Sequence, residues 1–259
     1  MSKQPSLFVS HGSPMIMVQQ SASQAFLKSL GEKLPRPRAI ISATAHWTTA
    51  HPMINADTNP QTVHDFHGFP QELYMLSYPA PSEPKLAQDM LRAFAKNGIE
   101  AQITTDRGRD HGTWVPLKLA YPNADIPVVE LSVQPRKSAR WHYELGKALA
   151  PLREDGVMIM GSGGFTHNLQ AAERKLDAEP LDWVVAFADW ARDQIKTGNW
   201  DALMEWETGA PYAQENHPTP EHFLPLFVAL GAGGDEPGSE HLFGAIENAA
   251  FGMDAFSFT

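Results

Sequence analysis

Four short runs in this chain are apolar almost without interruption, and they constrain the fold more than any other feature. They are SLFVS (6–10), AIISATA (39–45), IPVVELSV (126–133) and VMIMGSGG (157–164). A strand with one wet face alternates apolar and polar residues. These runs instead suit strands covered on both faces, as in a parallel sheet held between helices.

The intervening sequence supplies the helices. SASQAFLKSLGEKL follows the first run, and Pro35 and Pro37 stand before the second, where they cannot sit inside a strand. A loop rich in proline and aromatics is expected over 48–81. Ser82 is expected to cap SEPKLAQDMLRAFAKNG, which places Leu86, Met90, Leu91 and Phe94 on one face and stops at Gly98. IEAQITT reads as a further strand. KSARWHYELGKALAPLREDG reads as a helix with Ser138 near its start and Gly156 beyond its end. Helices are expected at 181–197 and 219–231, and MDAFSFT as a final edge strand. Strands alternating with helices define an α/β fold with a mainly parallel central sheet flanked by helices. No repeat or linker interrupts residues 1–259, so one domain is expected.

Composition excludes several function classes. With 42% apolar and 19% charged residues the chain has the profile of a soluble globular protein. A net charge of −10 argues against nucleic acid or an anionic membrane as partner. No run approaches the ~20 apolar residues of a membrane span, and the start MSKQPSLFVS lacks a signal peptide's apolar core, so a cytoplasmic location is expected. There is no cysteine, which removes disulfide and thiolate chemistry. Eleven histidines remain as the chemical oddity.

Their placement is informative. In an open α/β sheet, ligands bind where loops diverge beyond the carboxyl ends of the strands. His11 ends the first strand, His46 the second, and His167 follows VMIMGSGG by a few residues. His222, behind Pro218 and Pro220, opens a helix that could aim its ring at the same rim. A single histidine at a strand end is most often structural. Four similarly placed allow a metal site, although no compact motif such as HExxH is present. His64 and His67 flank Asp65, and His111 follows Asp110; each could be a ligand, support one, or contact substrate. His51, His142, His217 and His241 read as surface or structural residues. GSGG lacks the lysine of a phosphate loop, and Ser10 and Ser13 sit in no GxSxG elbow. A glycine turn that lets backbone approach the site accounts for GSGG.

Eight motifs then occur in order: HGSPM, TAHW, HDFHGFP, LYMLSYPAPS, DHGTW, YPNADIPVVELS, HNL and PTPEHFLPL. In these the chain resembles the 4,5-DOPA extradiol dioxygenase-like family, class III extradiol enzymes of the protocatechuate 4,5-dioxygenase type. It departs at Thr44, where the family motif has Ser, and at Ser82, where it has Gly. The resemblance implies Fe(II) and O2 opening a small catechol, DOPA-like or other, beside its hydroxyl pair to a muconic semialdehyde. It implies His11, His46 and His222 as metal ligands, with Glu221 a neighbouring rival. His167 would handle protons and could join the metal in a resting state. His111 and His64 would line the substrate pocket, with Trp47, Phe66, Phe69 and Trp114 as candidate walls. An all-histidine set would also accept Zn(II). A zinc hydrolase and a non-enzymatic metal-binding protein are the competing readings, and the oligomeric state is open.

Overall fold

The four apolar runs stand side by side at the centre of the sheet. In chain order the strands are β1 (Ser6–Ser10), β2 (Ala39–Thr48), β3 (Met53–Asn55), β4 (Gln102–Thr104), β5 (Val128–Val133), β6 (Val157–Gly163), β7 (Ser239–Phe243), β8 (Ile246–Glu247), β9 (Phe251–Gly252) and β10 (Ala255–Phe258). The computed structural model describes residues 3–259. Eight strands form one sheet in the order β4–β3–β5–β2–β6–β1–β10–β7, while β8 and β9 pair separately. The central four, β5, β2, β6 and β1, are mutually parallel. β3 and β10 join antiparallel on either side.

Burial on both faces explains the unbroken apolar runs. Leu7, Val9, Ile40, Val128, Met158 and Met160 pack on one face with Leu27, Leu30, Trp114 and Leu117. Those partners come from the helices Ala22–Lys33 and His111–Ala120. Alternate residues Ile41, Val129, Leu131 and Ile159 pack on the other face with Leu86, Met90, Phe94, Leu145 and Val228. Phe8, Phe256 and Phe258 extend that face toward Phe187, Phe227 and Leu230. Each such side chain contributes about 1.5–3 kcal/mol by leaving water. No helix among the described residues is long and apolar enough to cross a membrane.

Several local expectations are corrected. The 48–81 segment is not all loop: it holds β3 and a short helix, Gln71–Tyr74. The run 99–105 gives only the three-residue edge strand β4. MDAFSFT is no edge, because β10 lies between β1 and β7. Glu83 rather than Ser82 occupies the N-cap of Pro84–Lys96, since proline is pre-set for the first helical position and makes the residue before it the cap. The helix expected at 219–231 begins as a 3-10 turn, Pro220–His222, and continues as Leu224–Ala232.

Candidate metal centre

Parallel strands bring their carboxyl ends to one rim, and a local device then aims each histidine. β1 stops at Ser10, and the His11 N–H donates to the Gly163 carbonyl at 3.0 Å. Gly12 follows with φ +65°, and a Cβ there would also lie 2.6 Å from Met253 Cε. His46 lies within β2 rather than beyond it. The β2–β5 register shifts between Thr44 and Thr48, so Ala45, His46 and Trp47 bulge out of the pairing. Thr44 Oγ1 pins this bulge, accepting the His46 N–H at 3.2 Å and donating to Asp110 Oδ1 at 2.8 Å. The His222 carbonyl accepts from Gly164 N–H at 2.9 Å. Glycine at 163 permits that approach, because a Cβ would lie 2.0 Å from the same carbonyl oxygen.

The three rings face one another. His46 Nε2 is 3.1 Å from His11 Nε2 and 3.4 Å from His222 Nε2. The opposite nitrogens are already committed. His11 Nδ1 donates to Ser162 Oγ at 3.0 Å, and the Ser162 hydroxyl passes its own hydrogen to the Gly112 carbonyl. His46 Nδ1 donates to Asp65 Oδ2 at 3.1 Å, and His222 Nδ1 to Glu221 Oε1 at 3.3 Å. A neutral imidazole has one N–H, and this network assigns it to Nδ1 in every ring. Three Nε2 lone pairs therefore point into one small volume, with the ligand atoms within 4.8 Å of one another. Such an arrangement repels itself unless a cation sits among the nitrogens. The donor set fits a divalent metal, and Nδ1 partners of this kind are what orient metal-binding histidines. Both nearby carboxylates face Nδ1 atoms, so neither belongs to the inward set.

Electrostatics keep His11 and His222 neutral. Burial first, then the neighbouring imidazoles, holds His11 and His222 well below the ordinary histidine range. Burial also lowers His111, against the pull of its hydrogen bond to Asp65. Burial pushes the Asp65 carboxyl up, but hydrogen bonds from His111 and His46 outweigh it and hold the group far below the usual range. His167 is lowered to about 4, mainly by burial and then by His46. Its ring stacks on His222 with centroids 3.5 Å apart and planes 6° apart. His167 is not in the group of His11, His46 and His222 whose ligand atoms cluster.

A cavity of about 310 Å³ opens over the site, lined by His11, His46, His111, His167 and His222 with Phe66, Phe69, Phe251 and Met253. No lysine or arginine lines it. Three residues expected to line the pocket lie elsewhere. Trp47 is not among the lining residues; its ring lies under the Arg107 guanidinium at 4.5 Å. His64 bonds the Leu76 carbonyl at 3.0 Å and does not reach the cavity. Trp114 is also absent from the lining: it is fully buried, with Nε1 donating to the Val63 carbonyl at 2.9 Å. His142 accepts from Gln134 N–H and His217 bonds the Phe165 carbonyl, which are structural roles as expected. Sequence reasoning gave no role to Ser162, Phe251 or Met253. Asp65 carried a signal in HDFHGFP, but its partners lie far away in sequence.

A metal-ready histidine rim on a mainly parallel α/β sheet defines a class of metalloprotein, and comparison with known families resolves it further. Residues 5–250 match the family model described as the catalytic LigB subunit of aromatic ring-opening dioxygenase. The chain belongs to this family and is an extradiol-type aromatic ring-opening dioxygenase. It is 40% identical over 257 residues to the 4,5-DOPA dioxygenase extradiol of Beta vulgaris, covering 97% of this chain and 95% of that one. It is 39% identical over 245 residues to the Escherichia coli protein of the same name, covering 91% and 88% respectively. An uncharacterized Escherichia coli K12 protein of known crystal structure superposes with a TM-score of 0.82 at 32% identity. That match covers 99% of this chain and 100% of the other.

Proposed function

We propose that this single catalytic domain uses non-haem Fe(II) and O2 to open a small catechol beside its hydroxyl pair, giving a muconic semialdehyde. The observation that carries the reading is the set of three inward Nε2 lone pairs beneath a cavity with aromatic walls. His11, His46 and His222 would hold the metal. When bound, Fe(II) supplies a Lewis acid and redox centre with positions open to substrate and O2. An all-nitrogen set leaves the full dipositive charge uncompensated, which favours a deprotonated catechol.

The protein's residues do the rest. His167 is neutral near pH 7, so it can accept a hydroxyl proton as the catechol docks and return it later. His111 commits Nδ1 to Asp65, which leaves Nε2 as a free acceptor on a ring that lines the cavity. Phe66, Phe69 and Phe251 offer flat apolar walls that orient an aromatic ring and keep water out. The catechol supplies all the electrons and O2 both oxygens, so no external reductant is needed. The names of the plant and bacterial relatives make a DOPA-like catechol the first substrate to try.

The test is anaerobic reconstitution with Fe(II), followed by a panel of catechols. Coloured ring-opened product should form only after air is admitted, with one O2 consumed per catechol. Undiminished turnover before air is admitted would instead identify a hydrolase built on the same histidines. Zinc in the purified protein would not identify the working metal, because three imidazoles bind Zn(II) at least as well as Fe(II).

A further inference from the structure

We infer that Asp65 is a positioning residue that sets the tautomers of two functional histidines at once, His46 for the metal and His111 for the substrate. This rests on the three-histidine centre argued above. Asp65 Oδ2 accepts from His46 Nδ1 at 3.1 Å. Oδ1 accepts twice from His111, from Nδ1 at 2.9 Å and from the backbone N–H at 2.9 Å. An ionised carboxylate only accepts, so both rings must carry their hydrogen on Nδ1. Both Nε2 atoms are thereby freed, one toward the metal position and one on the ring that lines the cavity. The two imidazoles are packed together, with centroids 3.9 Å apart, yet they come from β2 and from a helix start 65 residues later. One side chain thus holds the metal side and the substrate side of the pocket in step.

Asparagine at this position would break the arrangement in a defined direction. Its amide has one acceptor oxygen in place of two. The His111 N–H is the first donor of the helix His111–Ala120 and has no partner within it, so the amide oxygen should stay at the Oδ1 position. The amide NH2 then faces His46 Nδ1, which must become an acceptor. The His46 hydrogen moves to Nε2, and the inward lone pair is lost. His111 keeps its tautomer.

The experiment uses metal-free protein with isotope-labelled histidine. Long-range nitrogen–hydrogen NMR spectra report the tautomers, and Zn2+ affinity is measured by chelator competition. Wild type should show His46 and His111 both protonated on Nδ1. In Asp65→Asn, His46 should switch to Nε2–H, His111 should not, and Zn2+ affinity should fall by roughly 10–100-fold, the usual scale for such partners. Thermal unfolding should stay close to wild type. Unchanged tautomer and affinity in Asp65→Asn would overturn the inference. So would an Nε2–H tautomer on either ring in wild type, a result that needs no variant to fold. Two equivalents of Zn2+ in wild type, one of them lost in Asp65→Asn, would make Asp65 a ligand of a second cation and also overturn it. Wild type that binds no Zn2+ or Fe2+ would fail the metal reading instead, while the tautomers still judge Asp65.

Discussion

Which ring nitrogen carries the hydrogen decides what each histidine here can do. His11→Ala, His46→Ala and His222→Ala should each lose most bound metal while circular dichroism stays native, because each ring lines the cavity and packs in none of the apolar clusters. Normal metal content in any one of them would remove that residue from the ligand set. Glu221→Gln should keep the metal, since an amide oxygen can still accept from His222 Nδ1. His167→Gln should bind metal and catechol, seen as a shifted anaerobic absorption band, with turnover reduced roughly 10²–10⁴-fold. Loss of metal in step with activity would show His167 to be a ligand. The sequence exposed the strand-end histidines because apolar patterning stops beside them. It marked Asp65 only by its place in HDFHGFP, because its role depends on contacts to residues 46 and 111. The place of Trp47 under Arg107 was not legible, because the bulge at 45–47 interrupts the alternation that would assign its face.

At the scale of elements, close backbone approaches set the site, and glycines permit them. A Cβ on Gly161 would lie 2.0 Å from the Pro225 carbonyl oxygen, much as one on Gly163 would meet that of His222. β6 can therefore touch the backbone of the segment that delivers His222. Gly112 plays the same part for His46: its Cβ would lie 2.7 Å from Thr44 Oγ1 and 2.9 Å from His46 Cδ2. Gly112→Ala should cost about 1–3 kcal/mol through overpacking, despite alanine's better helix propensity. Because the clash falls on His46, metal affinity should drop as well. Calorimetry and a metal titration check both, and a variant that is more stable than wild type with full affinity would contradict the packing argument. The four central strands were legible because burial on both faces leaves unbroken apolar runs. β3, β4 and β7 were hidden or overdrawn because they are short and partly exposed, so no such run marks them.

At the scale of the whole molecule, the buried histidines link stability to pH. Burial lowers His142 to about 4, His167 to about 4 and His217 to about 3, whereas an unfolded chain titrates near ~6.5. The unfolded state therefore takes up these protons first as pH falls. Stability from the neutral rings is complete above ~6.5 and drains away as pH drops toward their folded values. Glu130 runs the other way: burial and then Asp110 raise it to about 7, so the folded state gains its proton early. The histidines outnumber it, and His11, His111 and His222 shift in the same direction as they do. Denaturant midpoints should fall steadily from pH 7 to 4.5 in metal-free protein, and a flat profile would contradict the buried-neutral assignment.

Ring opening by O2 at the three-histidine rim is the central claim, and isotopic labelling tests it most directly. The Fe(II)-loaded enzyme is given a catechol under heavy O2 in ordinary water, and the ring-opened product is weighed by mass spectrometry, with the aldehyde oxygen trapped before it exchanges with water. Both heavy oxygens should appear in the product, one in the new carboxylate and one in the aldehyde. Product whose new oxygen comes only from water would contradict the account.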